Sequence, residues 1–175
     1  MLSQAISAHE LKHDEPTAET KFSNWIRYWL TEVEKRVDVI THQGYETNAK
    51  AHVLPYFDKL DVALSDVNLK GLQAYIDYEV KHGRRDGKGG VSPTSLRHYK
   101  NIVNQALNLA VRDGIIMANP CTGVVLPKME RYDYQFYNAE QLQTLLEAVK
   151  GDMFAPLIRV AILYGLRRSE LLGLQ

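Results

Sequence analysis

Four stretches of the chain show the spacing of apolar residues that amphipathic helices require. In each stretch, apolar side chains recur at steps of three and four residues and so share one face of a helix. The predicted inward faces are, in chain order, Phe22, Trp25, Ile26, Trp29, Leu30, Val33 and Val37; Tyr45, Ala49, Val53 and Phe57; Leu69, Leu72, Tyr75, Ile76 and Val80; and Leu96, Tyr99, Val103, Ala106, Leu107 and Ala110. This pattern predicts an all-α fold built around a four-helix bundle.

Proline and capping residues indicate where these helices begin and end. Pro55 is expected to weaken the end of the second helix, and Ser65 or Asp66 is expected to cap the third. Ser92 is a suitable N-cap for the long fourth helix, because Pro93 then takes its first position. These signals place all four predicted helices between about residues 20 and 114.

A second group of helices follows an irregular stretch. Asn138 precedes an amphipathic segment, and Gln141 lies at the spacing of a capping box. The segment FAPLIRVAILYG is uniformly apolar and is expected to be buried on several sides. We therefore divide the chain into a flexible leader (1–20), a bundle domain (21–116), a linker (117–137) and the incomplete start of a second domain (138–175).

Composition excludes several classes of protein. No apolar run approaches the ~20 residues that span a bilayer, which argues against a membrane protein. The single cysteine, Cys121, excludes an internal disulfide and fits a cytoplasmic protein. The six histidines lack the paired spacing of a zinc site, so we expect no metal.

The charge of the chain is unevenly distributed, although its formal net value is zero. Residues 81–100 carry six lysines and arginines against Asp86 alone, whereas residues 1–20 and 51–80 are acidic. One concentrated basic segment suits a polyanionic partner. On charge alone, a flexible and solvated loop at 81–90 explains the segment equally well.

The basic segment leads into the polar face of the fourth helix. Cations that meet phosphates and amides that read base edges are what a helix in a DNA groove needs. The second helix offers a similar small and polar face. The candidate DNA-binding residues are Thr47, Asn48, Lys50, Arg84, Arg85, Lys88, Thr94, Arg97, Lys100, Asn101 and Asn104. Either helix alone is also compatible with an ordinary exposed face.

The stretch YGLRRSELLGLQ holds one candidate catalytic residue. Arg167 follows the glycine that ends the apolar segment, and an arginine beside free helix N–H groups can bind a phosphate oxygen. Glu170 can pair with Arg167 or with Arg168 and can fix the Arg167 rotamer. Taken without context, the same pattern is typical of an arginine exposed on a first helical turn.

Together these motifs resemble the tyrosine recombinases, the phage-integrase family. YGLRRSELLGLQ looks like the family's first catalytic box, G-L-R-x-S-E-L-L-x-L, whose arginine would here be Arg167. The segment from Pro93 to Lys128 is similar to the end of the family's core-binding domain, with its long helix, its A-V-x-x-G-x-I turn and its Asn-Pro. The resemblance covers residues 22 to 175. It implies a SAM-like four-helix core-binding domain, a linker and the first helices of a catalytic domain.

The resemblance also implies a function. The parent protein, from a phage or another mobile element, is expected to bind double-stranded DNA and to cut and rejoin its strands through a phosphotyrosyl intermediate, without a cofactor. The family's nucleophile and later catalytic boxes follow its first arginine box, so we expect this chain to be an inactive fragment that binds DNA. Its uncovered apolar helix predicts self-association. The alternatives are a non-enzymatic helical DNA-binding or decoy regulator and a helical protein–protein adaptor.

Overall fold

The computed structural model describes residues 16–129, 133 and 135–174, and helices dominate these ranges. The chain divides into two compact units, residues 1–129 and 130–175. The helices of the first unit are α1 (Phe22–Glu34), α2 (Val39–Asn48), α3 (Leu54–Leu60), α4 (Leu69–His82) and α5 (Pro93–Arg112), and those of the second unit are α6 (Ala139–Ala148), α7 (Ala155–Tyr164) and α8 (Arg168–Leu172). Within the described ranges the only β pairing is an isolated bridge between Lys21 and Ala63. The predicted all-α class is confirmed.

The first unit has one hydrophobic core, built mainly from α1, α3, α4, α5 and the segment Ala49–Val53, whereas α2 adds only the partly buried Tyr45. The apolar faces predicted for α1 and α5 are confirmed, apart from the partly exposed Val37. Trp25 is fully buried, and its indole Nε1–H donates to the carbonyl oxygen of Ala106 at 2.7 Å. Phe22 packs edge-to-face on Phe57, with ring centroids 4.8 Å apart. These contacts join α1 to both α5 and α3.

The second predicted helix does not end at Pro55. A π-helical segment, Ala49–Val53, connects α2 directly to α3, and the N–H of Leu54 donates to the Ala49 carbonyl five residues back. Proline breaks a helix because it lacks an N–H and its ring clashes with the carbonyl four residues earlier. A π turn changes that register, so Pro55 fits at the start of α3. The helical run therefore continues past Pro55 to Leu60, with its hydrogen-bond register changed just before the proline.

Helix α4 begins later than predicted. Asn68 is its N-cap, and the Asn68 side-chain oxygen accepts the N–H of Gly71 at 3.0 Å. Ser65 and Asp66, the predicted caps, lie instead in a short 3-10 turn, Leu64–Asp66. Asn68 thus takes the capping position that the sequence assigned to Ser65 or Asp66.

The buried face of α4 also differs from the predicted face at both ends. Leu72, Tyr75 and Ile76 are buried as predicted, but Leu69 and Val80 are 45% and 38% exposed. The last buried side chain is Glu79, which is only 2% exposed. A carboxyl group thus lies where the apolar pattern predicted a valine, which requires a partner inside the protein.

The segment after α5 packs against the bundle over its first part. Cys121 lies in a second 3-10 turn, Pro120–Gly123, and its side chain is 1% exposed. Gln73 of α4 binds the backbone of Val125 through both side-chain atoms, at 2.9 Å and 3.2 Å. Residues 120–125 therefore lie against the bundle, although the absence of periodicity predicted a linker from residue 117 onward.

The second unit has well-defined caps and little burial. Asn138 and Gln141 form the predicted capping box, with hydrogen bonds of 2.8 Å and 2.9 Å. Helix α7 ends at Gly165, whose φ of +63° lies in the left-handed region. In α7, Leu163 and Tyr164 are 77% and 73% exposed. The prediction that this apolar helix is buried on several sides is wrong for the structure, because the described part of this unit offers only short helices as neighbours.

We expect Trp25→Phe to lower the free energy of unfolding of the chain by about 1–3 kcal/mol more than Trp29→Phe. Both substitutions remove the same volume from buried positions of α1, but only Trp25 donates a buried hydrogen bond. Urea unfolding followed by far-UV circular dichroism measures the difference. Equal losses in the two variants would show that the bond to Ala106 adds nothing to stability.

Candidate nucleic-acid interface

The basic loop, defined here as residues 83–91, is held by hydrogen bonds at both ends and across its middle. The N–H groups of Gly83 and Val91 both donate to the carbonyl oxygen of Glu79, at 3.0 Å and 3.1 Å. Within the loop, the N–H of Arg84 donates to the Gly89 carbonyl at 2.9 Å. The composition predicted a flexible loop, whereas the structure shows a closed turn that is hydrogen-bonded to the end of α4.

Two glycines allow this close approach. A Cβ atom at Gly90 would lie 1.6 Å from the carbonyl oxygen of Val80. A Cβ at Gly83 would lie 2.4 Å from the Glu79 Oε2 atom. No side chain fits at either position without moving the backbone, so glycine is required for the loop to fold back on α4.

A buried polar pair lies beneath the loop. The His52 Nδ1 atom, on the π-helical segment, is 3.1 Å from Glu79 Oε2. The His52 ring stacks on the Tyr99 ring of α5, with centroids 4.4 Å apart and planes 17° apart. The pair therefore connects the π-helical segment, α4 and α5 at one point. Sequence reasoning missed both residues, since nothing in the apolar spacing distinguishes a buried acid with a partner from a solvated one.

Burial shifts the titration of both members of the pair. It raises the pKa of Glu79 to about 7, because the charged carboxylate loses solvation. It lowers the pKa of His52, and the positive charge of Arg85 adds to that effect. Both shifts favour the uncharged form of the group concerned. Arg85 lies near this pair, because Arg85 and His52 line the same cleft.

Six of the sequence-predicted contact residues are exposed, and their side chains have no hydrogen-bond or ion-pair partner within the described ranges. Two of the cations lie on the basic loop, and the third lies on the second turn of α5. The six residues are Thr47, Arg85, Lys88, Thr94, Arg97 and Asn101. Their side chains are available to an external ligand. Asn48, on α2, is only partly exposed.

Two further candidate cations are paired with neighbouring carboxylates. The Arg84 guanidinium donates two hydrogen bonds to the Asp86 carboxylate, of 3.0 Å and 2.6 Å. This contact lowers the pKa of Asp86 to about 2. Lys50 pairs with Glu46 one turn earlier at 2.6 Å. Such exposed pairs are weak and exchange readily with phosphate. Arg84 also shapes the loop, because the Asp86 carboxylate accepts the N–H of Lys88 at 3.0 Å.

The last two candidates, Lys100 and Asn104, form hydrogen bonds inside the protein. Lys100 donates from Nζ to the carbonyl oxygen of Val124 at 2.7 Å and is half-buried. The Asn104 side-chain oxygen accepts from Asn119 Nδ2 at 2.9 Å, and Asn119 also donates to Asn108 at 2.6 Å. The polar face of α5 therefore serves two purposes. Its first turns face outward, and its middle holds the segment that follows.

Arg167, the candidate catalytic residue, lies in the second unit as the N-cap of α8. The Glu170 carboxylate accepts the backbone N–H of Arg167 at 2.8 Å and lies 3.2 Å from its Nη1 atom. The predicted pairing of these two residues is thus present. The Arg167 side chain is 85% exposed, which leaves most of the guanidinium open to an anion.

Other chemistries find little support in the described part of the chain. None of its helices combines the length and apolar character that crossing a membrane requires. Across those same residues, no three His, Cys, Asp or Glu side chains are grouped as metal ligands. Burial raises the pKa of the Cys121 thiol to about 11, so this cysteine stays protonated at neutral pH and is a poor nucleophile.

Comparison with known proteins identifies the family. Residues 21–124 match the phage integrase SAM-like domain. The chain is 33% identical over 158 residues to a tyrosine recombinase XerC-like protein of Caldanaerobacter subterraneus subsp. tengcongensis, an alignment that covers 84% of this chain and 37% of that relative. It is 25% identical over 147 residues to the ICEBs1 integrase of Bacillus subtilis, covering 82% of this chain and 37% of that relative. The chain belongs to the phage-integrase family of tyrosine recombinases.

A solved structure shows the same fold. The chain aligns with a lambda integrase dimer bound to a COC′ core site, with a TM-score of 0.63 and 16% sequence identity. The alignment covers 95% of this chain and 48% of that chain. The chain spans little more than a third of the length of the two curated relatives described above.

We expect the stability of the wild-type chain, relative to Glu79→Gln, to fall as the pH rises from about 4.5 to about 7. The pKa of Glu79 is raised from 4.5 to about 7 on folding, so over this range the folded state retains a proton that the unfolded state has lost. The difference amounts to about 3 kcal/mol. Urea unfolding of both proteins at pH 4, 5.5 and 8 measures it.

Glu46→Gln serves as the control for this titration. The exposed Glu46 has its pKa lowered by its bond to Lys50. The sign is therefore reversed, and the wild type gains stability relative to this variant as the pH rises through the range of a free glutamate. A difference between wild type and Glu79→Gln that is constant with pH would contradict a raised pKa at Glu79.

Proposed function

We propose that the chain is the DNA-binding part of a site-specific recombinase of a phage or mobile element. Its first unit binds double-stranded DNA through the basic loop and the first turns of α5. The arrangement that supports this proposal most directly is the ordered loop, which presents Arg85 and Lys88 without ion-pair partners in the described ranges. The lambda integrase of the same fold was solved bound to a core site.

The roles of the exposed residues follow from their chemistry. Arg85, Lys88 and Arg97 neutralise backbone phosphates, which fixes the position of the protein but carries no sequence information. Thr94 and Asn101, on the exposed side of α5, can reach base edges, since hydroxyl and amide groups match the hydrogen-bond pattern of the major groove. Thr47 of α2 adds a further polar contact. The target sequence then depends on a few side chains.

We further propose that the complete recombinase cuts and rejoins DNA through a phosphotyrosyl intermediate, as the family resemblance implies. Arg167 holds the non-bridging oxygens of the scissile phosphate and stabilises the charge that develops there. Glu170 orients it, supported by the two hydrogen bonds between them. We assign none of the ten tyrosines of this chain as the nucleophile.

We expect Arg85→Ala and Arg97→Ala each to weaken binding to random-sequence duplex DNA and to reduce the salt dependence of the binding constant. Each phosphate contact releases about one counterion, so the slope of log K against log salt falls by about 1 per residue and by about 2 in the double variant. Fluorescence anisotropy of a labelled duplex across a salt series measures both quantities.

Arg112→Ala is the matched control, because Arg112 lies at the other end of α5. Fifteen residues separate it from Arg97, roughly 22 Å along the helix. It should leave the slope unchanged. Binding that is indifferent to salt in the wild type and in all four variants would contradict the proposed interface and favour a protein–protein adaptor.

We also propose that the chain associates with itself through the exposed apolar residues of the second unit. Met153, Phe154, Leu163 and Tyr164 are between 54% and 82% exposed. Adjacent exposed apolar side chains favour contact between protein surfaces over contact with water. Their burial between two copies would form a symmetric dimer.

We expect the double variant Leu163→Ser, Tyr164→Ser to sediment as a monomer at concentrations at which the wild type is dimeric. The control is Val39→Ser, Ile40→Ser, which removes side chains of similar exposure, 71% and 81%, from the first unit. Analytical ultracentrifugation over a range of concentrations distinguishes the species. A monomeric wild type at high concentration would exclude this association.

A further inference from the structure

A cleft in the first unit opens beside the basic loop. It has a volume of about 540 Å³, within the range of pockets that hold small molecules. Residues of the π-helical segment and α3 form one side, and the last turns of α4 with the start of the basic loop form the other. The aromatic and basic side chains of its lining are Tyr56, Lys59, Tyr78, His82, Arg84 and Arg85. None of the DNA contacts proposed above, apart from Arg85, involves this cleft.

Aromatic rings form a continuous surface in the cleft. The Tyr78 ring lies 5.2 Å from the Tyr56 ring and 5.2 Å from the His82 ring, centroid to centroid. Tyr56 also packs on the buried ring of Tyr75 at 5.1 Å, which anchors the group to the core. Tyr78 itself is 46% exposed. A half-exposed tyrosine supported from behind offers a rigid face on which a flat ring can stack.

The charges around the cleft favour an anionic ligand. Lys59 and Arg85 are exposed and have no ion-pair partner in the described part of the chain, and Arg84 keeps its pairing with Asp86. The one acidic side chain in the lining, Glu79, is buried and bonded to His52. Cations at the edge and aromatic rings within are the two features that single-stranded nucleic-acid sites combine.

We propose that this cleft binds one unstacked nucleotide, with its base on the Tyr78 ring and its phosphate at Arg85 and Lys59. The inference rests on the proposed function in one respect, which is that DNA is then the source of the nucleotide. A free mononucleotide has the same chemistry and would occupy the same site. A fully paired duplex would not, because its bases are stacked on each other and present no open face.

The position of Arg85 links the cleft to the duplex-binding surface. This residue lines the cleft together with His52, whose ring stacks on Tyr99 of α5. A phosphate held by Arg85 can therefore belong to the strand that runs on to the exposed turns of α5. A nucleotide displaced from the duplex next to that phosphate is within reach of Tyr78. The cleft would recognise locally opened DNA without reading its sequence.

The test compares two fluorescein-labelled DNAs of the same sequence, one a blunt duplex and the other carrying a single unpaired nucleotide. We expect the second DNA to bind at least about fivefold more tightly, the low end of base stacking on an aromatic side chain. Tyr78→Ala should remove the difference and Tyr78→Phe should keep it. Tyr137→Ala, which removes an exposed tyrosine outside the cleft and outside the proposed self-association surface, should have no effect on it.

A second arm uses deoxyadenosine monophosphate alone, with binding followed by NMR shifts of the tyrosine ring protons. If Tyr78→Ala abolishes binding of the mononucleotide, the cleft is supported as a nucleotide site. Tighter binding of the free nucleotide than of the DNA with the unpaired residue would identify the free nucleotide as the ligand. Equal binding of the two DNAs, together with no Tyr78-dependent binding of the mononucleotide, overturns the inference. Absence of duplex binding by the wild type would instead refute the proposed function. The mononucleotide experiment would still show whether the cleft binds a nucleotide.

Discussion

Residue Glu79 joins the parts of the first unit that form its candidate interface. Its backbone carbonyl accepts N–H groups from both ends of the basic loop, and its buried carboxyl group is bonded to His52. His52 in turn stacks on Tyr99, so three helical elements meet there. Burying a carboxyl group is unfavourable unless it has a partner, and removal of that partner leaves the penalty uncompensated. The loop, the π-helical segment and α5 therefore meet at Glu79 and His52, through backbone hydrogen bonds, one side-chain bond and a ring stack.

This constraint explains how a loop rich in glycine and charge can serve as a binding surface. A flexible loop would lose conformational entropy whenever it bound DNA, which would weaken the complex. Here the turn is closed by backbone hydrogen bonds, and Asp86 fixes Arg84 and the N–H of Lys88. Arg85 and the Lys88 side chain are left facing solvent. Ordering the backbone thus separates the residues that shape the loop from those that can contact phosphate.

Much of the fold could be predicted from apolar spacing, because a stripe with a period near 3.6 has one stable solution, which is burial against other helices. The faces of α1 and α5 and the caps at Ser92 and Asn138 followed from local rules. The predictions failed where a contact with a distant part of the chain overrode a local rule. Val80 is displaced from the core by an acid that has a partner 27 residues away in sequence. Pro55, in contrast, is tolerated because of a π turn.

By itself, the sequence determined the helical class, the position of the basic segment and the capping box of Asn138 with Gln141, because each depends on residues close together in the chain. Only the tertiary structure decided which polar residues remain available to a partner. Lys100 and Asn104 share a helix with Arg97, yet they hold the segment after α5 through Val124 and Asn119. No periodicity distinguishes these residues, since the difference lies in atoms that approach from 15 to 24 residues away.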